Sequence, residues 1–152
     1  MRRKLDRWAA LSRDERRLLV GLTVMLPAIG VALRLAGVRQ TCRMLLGAGS
    51  GTAAEVPLAV EAVHTAKALA RLVDIAARHG PYRATCLRRS LALCWLLRRR
   101  GLPARLRIGV GLAEGPMSAH AWVDLCGVPI DAHASVSDFY SPFPELGERL
   151  SA

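Results

Sequence analysis

From Leu18 to Leu33 the chain runs sixteen residues without a charge, and just ahead of that run Ser12 and Glu15 stand three apart. The serine oxygen can accept a first-turn amide hydrogen while the glutamate reaches back to the serine amide. A helix is therefore predicted from Ser12 to about Arg34, with a kink or break near Pro27. Sixteen uncharged residues fall short of the roughly twenty that span a bilayer, and Gly21, Pro27 and Gly30 interrupt them. A buried or interfacial helix is expected here, with neither a membrane span nor a secretory signal. The small-residue stretch LLGAGSGTAAEVP, residues 45 to 57, reads as a linker.

Beyond it, PLAVEAVHTAKALARLVDIAARH, residues 57 to 79, places Val60, Val63, Leu69, Leu72, Val73 and Ala76 close to one helical face, with Gly80 and Pro81 as the stop. A third helix is predicted from Cys86 to Arg100, where Gly101 suits a left-handed end and Arg98, Arg99 and Arg100 lie at the negative end of the dipole. The period then changes. In ARLRIGVGL, Leu106, Ile108 and Val110 alternate with Arg105, Arg107 and Gly109, which is strand spacing. A strand from about Ala119 to Leu125, a tight turn at Cys126-Gly127 and a strand from Val128 to about Ala132 follow. Helices first and an antiparallel sheet second predict an α+β fold, divided into an N-terminal helical segment, 1–50, and a domain, 51–152.

At 152 residues the chain can bury a core of its own, and 52% apolar residues with few aromatics point to a folded, helix-rich molecule. Twenty-two Lys and Arg against twelve Asp and Glu leave a net charge of +10, which favours acidic peptides, polyanions or anionic lipid as partners. Without an aromatic platform or a DNA-binding signature, no nucleic-acid partner is expected. Cys42, Cys86, Cys94 and Cys126 are scattered with no C-x-x-C pair. Reduced thiols, a cytoplasmic location and no metal or other cofactor are the expectation.

Cys86 opens its helix, where unpaired amide hydrogens favour a thiolate, and Arg83, Arg88 and Arg89 add positive charge nearby. Such a thiol is either a nucleophile or a small packed hydrophobe. Cys94, two turns deeper, reads as packing. A nucleophile needs a base, and His120 stands centrally on the strand AHAWVDL, although a strand histidine can also be satisfied by backbone alone. An acid must then orient it. With a two-residue turn, Leu125 pairs with Val128, Trp122 with Asp131 and His120 with His133. That puts Asp131 diagonally across from His120 at about 7 to 8 Å between backbones. Asp124 shares the face but stands about 13 Å up the strand. A one-residue slip of the register would turn Asp131 away. Trp122 either lines a substrate cleft or fills the core, and His64, His79 and His133 read as surface or structural.

CLRRSLALCWLLRRRG, then SAHAWVDLCGVPID, then SDFYSPFPEL resemble the transglutaminase-like cysteine protease of lasso-peptide biosynthesis, the leader-peptidase part of the B protein. The likeness spans roughly residues 80 to 146. It departs from the family at Asp124, where glutamate is common, and at Cys126-Gly127, which replaces an acid-glycine turn. The resemblance implies a papain-like core with helices packed on a small antiparallel sheet, and a triad of Cys86, His120 and Asp131. It also implies removal of a leader peptide from a ribosomally made precursor, a small leader-recognition protein as partner, and an ATP-dependent macrolactam synthetase that takes the freed core. Two rival readings stand beside it. One is an acyltransferase or amidase of the same fold, and the other a non-catalytic protein that contacts a membrane surface or a partner through residues 18–33.

Overall fold

The structure, a computed structural model, describes residues 11–47, 59–80, 84–111, 118–131 and 140–142. Four helices come first in the chain: α1 (Arg13–Leu35), α2 (Gly37–Leu46), α3 (Val60–His79) and α4 (Cys86–Arg99). They are followed by β1 (Ala104–Gly111), β2 (Ser118–Leu125), β3 (Val128–Pro129) and β4 (Tyr140–Pro142), which form an antiparallel sheet in the order β3-β2-β1-β4. The α+β expectation holds.

The capping box forms at the start of α1: Glu15 N donates to Ser12 Oγ at 3.1 Å and Ser12 N to Glu15 Oε2 at 2.8 Å. The helix then passes Pro27 without the expected break. Proline inside a helix removes one rung and costs about 3 kcal/mol. Leu22 and Leu26 on one side of it and Ile29 on the other are buried in the core, and three buried aliphatic side chains outweigh that cost. At 23 residues, α1 is also long and apolar enough to cross a membrane by length and composition, against the expectation from the uncharged run alone. Its inner face is committed to the protein core, whereas Val20, Val24, Val31 and Leu35 stand exposed along the other face.

No helix was expected where α2 lies. It begins at Gly37, whose positive φ of 75° reverses the chain straight after α1, and it has no side-chain cap to announce it. Leu45 and Leu46 belong to this helix and not to the linker, which as read from 48 to 57 lies outside the described residues. In α3 the predicted face is the buried one from Leu69 to Ala76, with Val63 partly covered. Val60, at the helix start, is exposed instead.

Helix α4 is the centre of the molecule. Leu91, Ala92, Leu93, Cys94, Leu96 and Leu97 are all buried, so nearly its whole circumference is covered by α1, α2, α3 and the sheet. Its end is a left-handed stop at Gly101 (φ 75°), with Leu102 N donating to Leu97 O at 3.0 Å and Gly101 N to Arg98 O at 2.9 Å. Arg98 does more than face the dipole. Its Nε donates to Ala104 O and its Nη1 to Leu46 O, both at 2.8 Å, so one guanidinium ties the end of α2 to the start of β1.

In β1 and β2 the residues Ala104, Leu106, Val123 and Leu125 face the core. The hairpin from β2 to β3 has the expected register, Leu125 opposite Val128, around a turn in which Cys126 (φ 49°) and Gly127 (φ 86°) are both left-handed. The second strand is shorter than expected. It ends at Pro129, so Asp131 is not a strand partner of Trp122. Ile130 N still donates to Val123 O at 2.9 Å, but Val123 N turns to the Asp131 carboxylate, so a side chain takes the rung that a backbone carbonyl would have filled. Ala132 and the expected His120–His133 pairing lie outside the described residues.

Two substitutions test this frame. Cys126→Asn is expected to raise stability by about 0.5–1 kcal/mol, because asparagine tolerates the left-handed region better than cysteine. Thermal denaturation should show a midpoint a few degrees higher. Arg98→Lys is expected to lower stability by about 2 kcal/mol, nearly as much as Arg98→Ala, since an ammonium cannot fork to two carbonyls as a guanidinium does. Urea titration of the two variants checks that near-equality.

Candidate functional site

Cys86 is the first residue of α4, half-buried, behind an N-cap, Thr85, whose hydroxyl makes no capping bond. No acidic residue occupies the first turn either. The positive end of the helix dipole is thus left for whatever stands there, and the thiol is what stands there. Two arginines expected to assist it are engaged elsewhere. Arg89 Nη1 donates to Asp74 Oδ1 on α3 at 3.0 Å, and that carboxylate also holds Arg78 at 2.9 Å. The Arg88 guanidinium lies against Gly30 of α1, so close that a Cβ on that glycine would fall 2.7 Å from its central carbon. Arg83 is outside the described residues. Among the described residues, the open helix terminus is the positive feature that remains at the thiol.

One turn further along the same face, roughly 6 Å at the usual rise, comes Ser90. It is the polar residue of a buried face, 1% exposed. Its Oγ lies 3.0 Å from Ala121 O and 2.6 Å from Asp131 Oδ2. Asp131 Oδ1 accepts from Val123 N, also at 2.6 Å. The carboxylate therefore sits at the free edge of β2, gripped by α4 on one oxygen and by the strand on the other. Burial pushes the Asp131 pKa up, and the Ser90 and Val123 hydrogen bonds and the charge of His120 pull it back.

His120 is half-buried on β2, directly before the Ala121 whose carbonyl Ser90 holds. Across the ladder it faces Gly109, so β1 sets no side chain opposite the imidazole. The Trp122 ring stacks along the same face, centroids 6.4 Å apart and planes 15° from parallel. Trp122 itself is buried.

Cys86 and Ser90 thus share a helix face, and Ser90 ties that face to the strand carrying His120 through Ala121 O and to Asp131 through its carboxylate. The sequence pattern singled out three of these residues and missed Ser90. A signal existed: Ser90 is the one small hydroxyl in SLALCWLL, four residues after Cys86. Asp124, passed over as an orienting acid, accepts from Gly127 N at 3.0 Å and serves the turn. Cys94 is fully buried, bonded to Ala104 O at 3.5 Å, and burial pushes its thiol up to about 12; Cys42 is likewise buried and pushed up to about 11. All four cysteines are free thiols. His64 and His79 are exposed on α3, and His133 lies outside the described residues. Among the described residues no group of three or more His, Cys, Asp or Glu comes together as a metal site.

A half-buried thiol on an open helix terminus, and a carboxylate that joins this helix to the strand carrying an imidazole, are the groups that nucleophilic acyl chemistry uses. Comparison with curated proteins and with solved structures found no match. The family model for the transglutaminase-like superfamily matches residues 28–143, from within α1 to just past β4. That superfamily includes cysteine proteases and acyltransferases. Covering more than half of the chain and every residue of the candidate site, the match establishes that the chain belongs to the transglutaminase-like superfamily.

Proposed function

We propose that this chain is a cysteine endopeptidase that removes the leader peptide from a ribosomally synthesised lasso-peptide precursor. The observation that carries the reading is the placement of Cys86 at an uncapped helix start, one turn from the junction where α4 holds Asp131 against the His120 strand. The motifs from residue 80 to 146 supply the substrate class by resemblance, and a net charge of +10 suits an acidic leader.

In this mechanism His120 takes the Cys86 proton, and the thiolate attacks the carbonyl carbon of the scissile bond. The Cys86 backbone N–H donates to the oxyanion. His120 then gives its proton to the leaving nitrogen, which frees the core peptide amine and leaves the leader as a thioester on Cys86. Water, deprotonated by His120, attacks the thioester and releases the leader acid and the thiol. Asp131 orients the imidazole and stabilises its charged form without taking its proton. A small leader-recognition protein delivers the leader, and an ATP-dependent macrolactam synthetase consumes the freed core.

Cys86→Ala is expected to lower cleavage of a leader–core precursor by at least about 10³-fold while the circular dichroism spectrum and melting midpoint stay close to the parent's. Mass spectrometry of the products checks it. Undiminished cleavage by the variant would remove Cys86 from the chemistry. A product whose new acyl end carries an amine in place of water would make the chain an acyltransferase of the same fold.

A further inference from the structure

The sheet edge at β2 has two backbone groups that a longer β3 would have paired, the N–H of Val123 and the C=O of Ala121. Neither is left to water. The Asp131 carboxylate takes the first at 2.6 Å and the Ser90 hydroxyl the second at 3.0 Å, and the two side chains meet each other at 2.6 Å. A serine hydroxyl has a single proton, and here two acceptors face it. The carboxylate, closer and charged, takes the larger share. Ser90 therefore stands in the middle of a three-way junction between the helix that carries Cys86, the strand that carries His120, and Asp131.

We propose that Ser90 is a positioning residue of the candidate site: its hydroxyl holds the Asp131 carboxylate in place and locks the Cys86 end of α4 in register with the His120 strand. The proposal rests on the assignment of Cys86, His120 and Asp131 to one site. An apolar side chain would pack in a buried helix face at no polar cost, so a fully buried hydroxyl between two acceptors calls for a reason. The hydrogen-bond account supplies one. Asp131 accepts from Ser90 on Oδ2 and from Val123 on Oδ1, which leaves one further lone pair on each oxygen for an imidazole N–H. Those two bonds favour the ionised form in a place where burial opposes it. Titratable neighbours of the carboxylate among the described residues are His120 on β2 and Cys94 on α4, and Cys94 is buried deeply enough to stay a thiol.

The sign of the effect follows. Without the Ser90 hydroxyl, the bond that favours the carboxylate is lost, the Asp131 pKa rises further, and the charged imidazole beside it loses support at acidic pH. A thiolate on Cys86 that depends on that imidazolium should then form at higher pH. The rate of Cys86 alkylation by iodoacetamide, followed from pH 5 to 9 by peptide mass mapping, reports this without any knowledge of the substrate. Cys126 in the same digest is the internal reference.

Ser90→Ala is expected to slow Cys86 alkylation at pH 6 by roughly three- to tenfold, the size of one charge-assisted hydrogen bond, and to move the acid limb upward by up to about one pH unit. Cys126 should be unaffected. Ser90→Thr, which keeps a hydroxyl, should restore the profile to within about twofold of the parent. If His120→Ala shifts the Cys86 profile and Ser90→Ala leaves it unchanged, the positioning role is wrong, whatever happens to the melting temperature. If His120→Ala itself leaves the profile unchanged, the shared site is wrong and the role of Ser90 falls with it.

Discussion

Among the described residues, α1, α2, α3, β1 and β2 all pack around α4 and bury it. A helix covered on nearly all sides has no solvated face on which to carry polar chemistry, so the chemistry has to be placed at its ends or supplied with partners along its length. Both solutions are used. At the N-terminus Cys86 emerges half-buried into the open dipole, and one turn inside Ser90 is matched with Ala121 and Asp131. At the C-terminus the Gly101 stop and the Arg98 fork bind the helix to its neighbours. The helix that supplies the core also sets where Cys86 stands, and α1 and α3 meet that end of it through Arg88 against Gly30 and Arg89 on Asp74.

The arginines show the same constraint. By composition they are a diffuse positive charge suited to polyanions. In the structure several of them are committed to the protein's own groups: Arg98 to two carbonyls, Arg89 and Arg78 to Asp74, Arg99 over the Trp95 ring at 5.0 Å, and Arg88 against Gly30. A guanidinium can serve a buried carbonyl because its planar fork keeps several donors in fixed directions. The count of charges was therefore a poor guide to what stands beside Cys86, since Arg88 and Arg89 are drawn to Gly30 and Asp74.

Local signals were legible in the sequence and side-chain substitutions for backbone were not. The capping box at Ser12, the glycine stops after His79 and Arg100, and the two-residue turn at Cys126-Gly127 are short-range patterns, and each stands where it was read. Asp131 was placed correctly near β2 but for another reason than strand pairing, because no periodicity announces that a carboxylate will replace a carbonyl at Val123. Helix α2 was missed since it starts from a left-handed glycine with no cap, and the return of Tyr140–Pro142 to pair with β1 is a long-range contact without a local sign. Pro27 illustrates the opposite failure. Its local rule was clear, and tertiary burial overrode it.

Asp131 is where fold and chemistry pull against each other. Its pKa is raised in the folded protein, first by burial, so between the unfolded and folded values the native state binds more protons than the unfolded one. Stability is then lost as pH rises through that window, and the cost is fully present above the folded value and absent below the unfolded one. A neutral residue would remove the cost, yet the carboxylate is kept and given two short hydrogen bonds that reduce it without cancelling it. An acid placed where burial opposes its charge, joined to the strand of an imidazole and to the helix of a half-buried thiol, fits the pattern of a site where acids act on their neighbours. Packing alone explains Cys94 and Cys42. The acid at the edge of β2 does more than pack: through Val123 N and the Ser90 hydroxyl it joins the strand that carries His120 to the helix that carries Cys86.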